Sequence, residues 1–157
     1  MEQDRILLDK LDRQIILELQ KNGRESYKTI ARKLKVSGGT VRLRIERMIK
    51  KKVLRISALL NPFFFEHSIT ALIGIQIENR ALGETMASIM KLDGVMSVSN
   101  VTGDFDLIVE VFLESRNALK RFLVGELTGV GGIKGTETFV FLDGLNKWVQ
   151  LKSSESW

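Results

Sequence analysis

Apolar residues recur at intervals of three and four through the first fifty positions and largely at alternate positions afterwards. The first period belongs to helices that bury one face, the second to strands. Leu11, Ile15, Ile16 and Leu19 mark a first helix, with Asp9 placed to cap it and Gly23 as its natural stop. Ser26 opens a second, short helix carrying Tyr27, Ile30, Ala31 and Leu34, and Ser37 a third with Val41, Ile45 and Met48 on one face. Three short helices joined by tight turns form the pattern of a helix-turn-helix, which bundles that never meet DNA also share. Residues 53–60 read as a strand or extended arm, ended by Asn61 and the only proline, Pro62. Phe63, Phe64 and Phe65 follow as a packing plug.

Beyond this boundary the pattern alternates strand and helix. Residues 70–78 make a strand with Ala71, Ile73, Ile75 and Ile77 on one face, and Leu82, Met86, Ile89 and Met90 mark a helix. Residues 95–101 and 105–113 are strands flanking a Thr102-Gly103-Asp104 turn, and Ser115 caps a helix holding Leu119, Phe122, Leu123 and Leu127. Residues 136–142 form the last strand, with 145–151 a further edge strand or arm. The order β-α-β-β-α-β predicts a ferredoxin-like sandwich, an antiparallel four-stranded sheet with two helices on one face. The fold class is therefore α+β. The sheet's other face, lined with Ile and Val, needs cover, so a dimer or larger assembly is expected.

Charge divides the chain at the same place. Residues 1–57 hold 16 Lys and Arg against 7 Asp and Glu, while residues 58–157 hold 8 against 12. A net +9 facing a net −4 means that one part suits a polyanion and the other has a different task. With no cysteine, disulfides and thiolate chemistry are excluded. The opening Met1-Glu2-Gln3-Asp4 is unlike a secretory signal, and the most apolar stretch, 68–77, is too short to span a membrane. A cytoplasmic protein is expected.

Advancing about 100° per residue from Val41 puts Ile45 and Met48 on the core side of the third helix. Gly39, Leu43, Glu46 and Arg47 point the other way, Thr40 and Arg42 lie on the flanks, and Arg44 lies near the core edge. Short polar groups at the helix start suit base edges, and cations suit phosphates. The expected DNA-binding set is Ser37, Gly39, Thr40, Arg42, Leu43, Arg44, Arg47 and Lys51, within a run ending Lys50-Lys51-Lys52. Gly38-Gly39 in the first turn points either to close backbone approach by a partner such as DNA or to a loosely ordered helix start.

Three sets of residues carry a family resemblance. Leu8-Asp9, Leu11-Asp12, Ile15-Ile16, Leu19 and Gly23-Arg24 are the first. Ile30-Ala31, Leu34, Val36-Ser37 and Thr40-Val41-Arg42-Leu43-Arg44-Ile45 are the second, and Val101-Thr102-Gly103-Asp104-Phe105-Asp106-Leu107 the third. In this order and spacing the chain resembles the Lrp/AsnC (feast/famine) transcriptional regulators. The resemblance implies a winged-helix-like DNA reader, an extended hinge strand that pairs with a partner chain, and a ferredoxin-like sensor. It implies dimers that stack into tetramers, octamers or rings and bind amino acids or related metabolites between them, with no resident cofactor. By that similarity the effector site draws on Gly103, Asp104 and Asp106, with Thr136 and Thr138 facing it from a neighbouring subunit. The chemistry fits independently: a glycine turn exposes backbone groups, a carboxylate pairs with an ammonium, and threonine hydroxyls donate or accept. A plain hairpin turn would contain the same Gly-Asp pair.

The chain departs from the family pattern where Lys51-Lys52 and Glu66-His67-Ser68 stand in place of customary glycines, and where Thr29 replaces a capping acid. An enzyme is not expected. His67, the only histidine, lies near no acid or nucleophile with triad logic, and the glycine-rich run 129–135 lacks the spacing of a phosphate loop. Asp104 and Asp106 could hold a divalent cation only with further ligands, and no metal is assigned. Two rivals remain: a metabolite-binding or oligomerisation module with a vestigial DNA reader, and a haem-pathway decarboxylase-like enzyme on the same fold. The latter would want His and Arg in the second domain, where Arg80, Arg116 and Arg121 stand with His67 only at the border. The predicted layout is a DNA-binding domain at 1–52, a hinge at 53–67, a sensing and oligomerisation domain at 68–151, and a tail at 152–157.

Overall fold

A computed structural model describes residues 7–78 and 82–150. The tail at 152–157, the opening tetrapeptide, Arg80 and Leu151 lie outside the described residues. Two compact units divide between Ser57 and Ala58.

The first unit contains α1 (Lys10–Lys21), α2 (Tyr27–Leu34) and α3 (Gly38–Lys50). Each begins where a short polar side chain accepts an otherwise unpaired backbone N–H. Asp9 and Asp12 form a reciprocal capping box on α1. Ser26 accepts from Thr29 N–H at 3.0 Å, and Ser37 from Thr40 N–H at 3.0 Å. In both serine caps the threonine hydroxyl also bonds the serine oxygen, at 2.9 and 2.8 Å. Thr29 thus joins the cap where the family pattern has an acid.

Helix ends follow the sequence expectation less closely. Gly23 is not the left-handed stop of α1: Asn22 is the cap, in extended conformation, and its N–H reaches Glu18 O. The left-handed positions belong to lysines, Lys35 after α2 and Lys52 after α3, both at φ 57°. Behind each, a 6→1 hydrogen bond closes the helix, Val36 N–H to Ala31 O at 3.0 Å and Val53 N–H to Met48 O at 2.9 Å. Ile15, Leu19, Ile30, Ala31, Val41, Ile45 and Met48 make the buried core, with Leu8, Leu11, Ile16, Leu34, Val36 and Leu54 at its margin. Residues 54–59 form neither helix nor strand, so the strand or arm expected over 53–60 is not a strand within this chain.

In the second unit, β1 (Ile69–Ile77), α4 (Leu82–Ile89), β2 (Val95–Asn100), β3 (Leu107–Leu113), α5 (Arg116–Arg121) and β4 (Ile133–Val140) build one antiparallel sheet in the order β2-β3-β1-β4. The alternation of β1 and β3 is the cause: Ala71, Ile73, Ile75, Leu107, Val109 and Val111 are all fully buried against Ile89, Phe122 and Leu127 of the helical layer. Ser115 caps α5, which continues through a π-turn at Phe122–Glu126. Thr128 Oγ1 bonds the Val124 and Gly125 carbonyls there, at 2.7 and 3.1 Å.

Three expectations need correction. β3 begins at Leu107 rather than 105, because residues 101–106 form a longer loop. The last strand begins at Ile133, drawing Gly135 from the glycine run into the ladder, and residues 145–150 make only an isolated bridge, Leu60 with Val149. The face away from the helices is also less bare than expected. Phe65 packs edge-on to Phe112 with ring centres 6.1 Å apart, and Lys147 pairs with Glu110 while lying 5.0 Å over the Phe141 ring. The chain between 61 and 68 closes without a left-handed residue, because Ser68 Oγ bonds the Pro62 and Phe65 carbonyls at 3.1 and 3.0 Å.

A lysine held left-handed costs backbone strain that glycine avoids. Lys52→Gly is therefore expected to stabilise the first unit by about 1 kcal/mol, read as a higher urea midpoint of its helical signal. An unchanged or lower midpoint would show that no such strain is stored at Lys52.

Candidate nucleic-acid interface and effector turn

Asp12 is fully buried at the start of α1, and a bare carboxylate there would be costly. Two arginines of α3 neutralise it: Arg44 Nη1 lies 2.9 Å from Oδ1 and Arg47 Nη2 lies 2.6 Å from Oδ2. Arg44 also reaches Asp9 at 2.6 Å, and that hydrogen bond holds the Asp9 carboxyl below its ordinary value. Both arginines came from the expected DNA-binding set. The structure places Arg44, 26% exposed, in an interhelical clamp, and leaves Arg47 half exposed with one edge committed to Asp12.

The rest of the set lies on or beside α3. Ser37 and Thr40 are joined through the cap. Arg42 pairs with Glu46 at 2.8 Å across one exposed turn, and Leu43 projects outward at 68% exposure. Gly39 is exposed, and Lys51 caps the helix C-terminus. A Cβ at Gly38 would meet nothing within 4 Å, and one at Gly39 only Ser37 Oγ at 3.8 Å. Nothing among the described residues demands either glycine.

The loop at 101–106 is held from several sides. Gly103 stands at φ 123°, a conformation glycine alone adopts comfortably. Gln76 Nε2 donates to Asp104 O and Asn100 Nδ2 to Asp106 O, each at 2.9 Å. Asp106 extends the β3–β1 ladder: its N–H donates to Ile75 O and its Oδ2 accepts from Ile77 N–H, both at 2.9 Å. Phe105 lies on the sheet face away from the helices, over Gly74, where a Cβ would come within 2.7 Å of the ring. It meets Phe139 edge-on with centres 6.4 Å apart. Thr136 and Thr138 lie opposite Ile75 and Ile73, so within one chain they share the helix-side face of the edge strand. Leu107, Ile75 and Thr136 form one row, which separates the turn from Thr136 by two strand spacings, roughly 10 Å. One chain therefore does not bring the threonines and the turn together.

The clamps at Asp12, Gln76, Asn100 and Phe105 were not among the sequence candidates. Gln76 carried a signal, a lone amide in the apolar run Ile69–Ile77. Asp12 carried one too, an acid at a helical core position beside Leu11 and Ile15.

A family model of the AsnC-type helix-turn-helix domain matches residues 8–49, and one of the Lrp/AsnC ligand binding domain matches residues 70–147. The chain belongs to the Lrp/AsnC family. A relative in Pyrococcus furiosus, an HTH-type transcriptional regulator, is 37% identical over 143 residues, which cover 90% of this chain and 96% of that one. The structure of AsnC from E. coli superposes with a TM-score of 0.70 at 26% identity, covering 88% of this chain and 95% of the other. A Neisseria meningitidis transcriptional regulator in complex with L-Met has the same fold, with a TM-score of 0.70 at 24% identity and 96% coverage of each chain. The protein is a DNA-binding transcriptional regulator of the Lrp/AsnC type with a ligand-binding domain. Among the described residues no helix is long and apolar enough to cross a membrane.

Removing the Asp12 carboxylate from this Lrp/AsnC regulator releases α3 from α1. Asp12→Ala is expected to cost roughly 2–3 kcal/mol, below the usual cost of breaking a buried pair because the arginines can turn to water. Chemical denaturation of the first unit measures it, and a loss under 1 kcal/mol would mean that helix packing alone sets the α1–α3 geometry.

Glu18 bonds Lys21 at 2.7 Å and Lys33 at 2.8 Å, and these, Lys21 first, lower its carboxyl from 4.5 to about 2. A lowered carboxyl stabilises the fold above its unfolded value and loses that contribution as the proton binds. The first unit should therefore lose stability as pH falls from 4.5 towards about 2, and Glu18→Gln should flatten that slope. Parallel acid titrations of the helical signal for wild type and variant would decide it, with superimposable curves counting against the assignment.

Proposed function

We propose that this Lrp/AsnC regulator reads a pseudo-palindromic DNA site with the α3 helices of two subunits in successive major grooves, about one helical turn apart. The observation that carries the reading is the +9 charge of a helix-turn-helix unit whose third helix turns a glycine-opened face outward. Arg42, the exposed edge of Arg47, and Lys50, Lys51 and Lys52 supply affinity through phosphates. Ser37, Gly39, Thr40, Arg42 and Leu43 face the bases, while Arg44 positions α3 through Asp9 and Asp12. The second unit joins copies of the chain. Phe139, Val140, Leu142, Leu145 and Trp148 expose apolar surface along β4 and beyond it, Leu142 and Leu145 at 94% and 99%.

The effector in this reading is an amino acid or related metabolite, bound at the Gly103–Asp106 turn with Thr136 and Thr138 reaching it from a neighbouring subunit. The L-Met complex of the Neisseria meningitidis regulator supports this class of ligand. Asp106 already spends Oδ2 on Ile77, so the exposed Asp104 is the cleaner residue to test.

Titrating the protein against DNA from upstream of its own gene, with nonspecific competitor at two salt concentrations, tests the reader. Retained preference that weakens steeply with salt is expected, and no binding even at low salt would overturn the reading. With that assay, Asp104→Ala should abolish the response to the effective amino acid while leaving effector-free binding unchanged. Equal loss of both would remove the turn from the effector site.

A further inference from the structure

The geometry points to Leu43 as the residue that selects thymine, by packing its side chain against the 5-methyl group in the major groove; this rests on the DNA-reading role proposed above. Leu43 is the most exposed apolar side chain of α3 and belongs to neither the core nor the margin of the helical cluster. It stands on the outward face, one turn after Gly39 and one turn before Arg47. An apolar group offered to water on a strongly basic surface loses nothing by being covered, and gains if its cover is apolar. The major groove presents one apolar feature, the thymine methyl, among hydrogen-bonding edges.

The neighbours of Leu43 strengthen the assignment. Two of the three arginines of α3 are restrained from gripping guanine bidentately: Arg44 is held by Asp9 and Asp12, and one edge of Arg47 by Asp12, while Arg42 pairs with Glu46 across an exposed turn. Gly38 and Gly39 serve no packing need among the described residues. What they offer is a first turn with no Cβ, which lets the helix backbone approach the groove wall and leaves Leu43 as the first long apolar side chain to reach a base. Recognition helices read bases from this N-terminal portion.

The experiment selects preferred duplexes from a random pool with the full chain, then replaces one thymine at a time by deoxyuridine, which removes only the methyl group. Wild type is expected to lose about fourfold in affinity at one thymine per half-site, the value of one buried methyl. Leu43→Ala, checked for unchanged helical signal, is expected to bind the thymine and deoxyuridine duplexes equally and to keep the wild-type salt dependence. Wild-type indifference to every replacement, or an undiminished penalty in Leu43→Ala, overturns the assignment while leaving DNA reading intact. Absence of salt-dependent binding to any duplex would overturn both. A change in assembly state of Leu43→Ala with the penalty retained would place Leu43 in a contact between subunits instead.

Discussion

Asp12 cannot be sealed inside a small helical unit as a bare carboxylate, and the cations that neutralise it come from α3, the helix proposed to read DNA. That exchange ties the start of α1 to the middle of α3. Arg44 spans both carboxylates of the α1 capping box, so the cap, the buried charge and the orientation of α3 form one network. Among the described residues the core has seven buried apolar side chains, most of them Ile, Val and Leu, which pack well without strongly dictating rotation about a helix axis. A directional pair supplies that constraint. The cost falls on the proposed DNA-reading surface of α3, where one arginine is removed and another half committed.

In the sensing unit the constraint is the sheet. Continuous burial of Ala71, Ile73 and Ile75 against Val109, Val111 and Leu107 sets the register, and the register decides what the loop after β2 can do. Asp106 prolongs the ladder with its side chain where its backbone turns away, and Phe105 fits because position 74 has no side chain. The loop is therefore preorganised, held by Gln76, Asn100 and Phe139 from different strands. A rigid turn lowers the ordering cost of binding a small ligand. It also lets events at the β4 edge, where Thr136, Thr138 and Phe139 sit, bear on the same structure.

Local chemistry was legible wherever the determining residues are neighbours in sequence. The caps at Asp9, Ser26, Ser37 and Ser115 each serve a backbone N–H three residues on, so their roles follow from spacing alone. The buried faces of α3 and β1 likewise follow from periodicity. Gly23 misled because a glycine permits a left-handed end without imposing one, and the chain instead spent that conformation on Lys35 and Lys52. The alternation of Phe105 and Asp106, apolar then polar, imitates a strand and places the start of β3 two residues early, yet both residues are held by contacts to β1. Arg44 and Arg47 were legible as cations on α3. That they answer Asp12, thirty-two and thirty-five residues away, was not.

The sequence by itself determined the two-part division, the helix and strand order, the polarity of each part and the family, because these depend on periodicity, composition and short motifs that need no partner in space. Only the tertiary structure decided which charges are free and which are spent, since an ion pair depends on distances between helices rather than on residue type. It also decided that the Gly103 turn is clamped, and that Thr136 and Thr138 stand apart from it across the sheet, because strand order places β1 between β3 and β4.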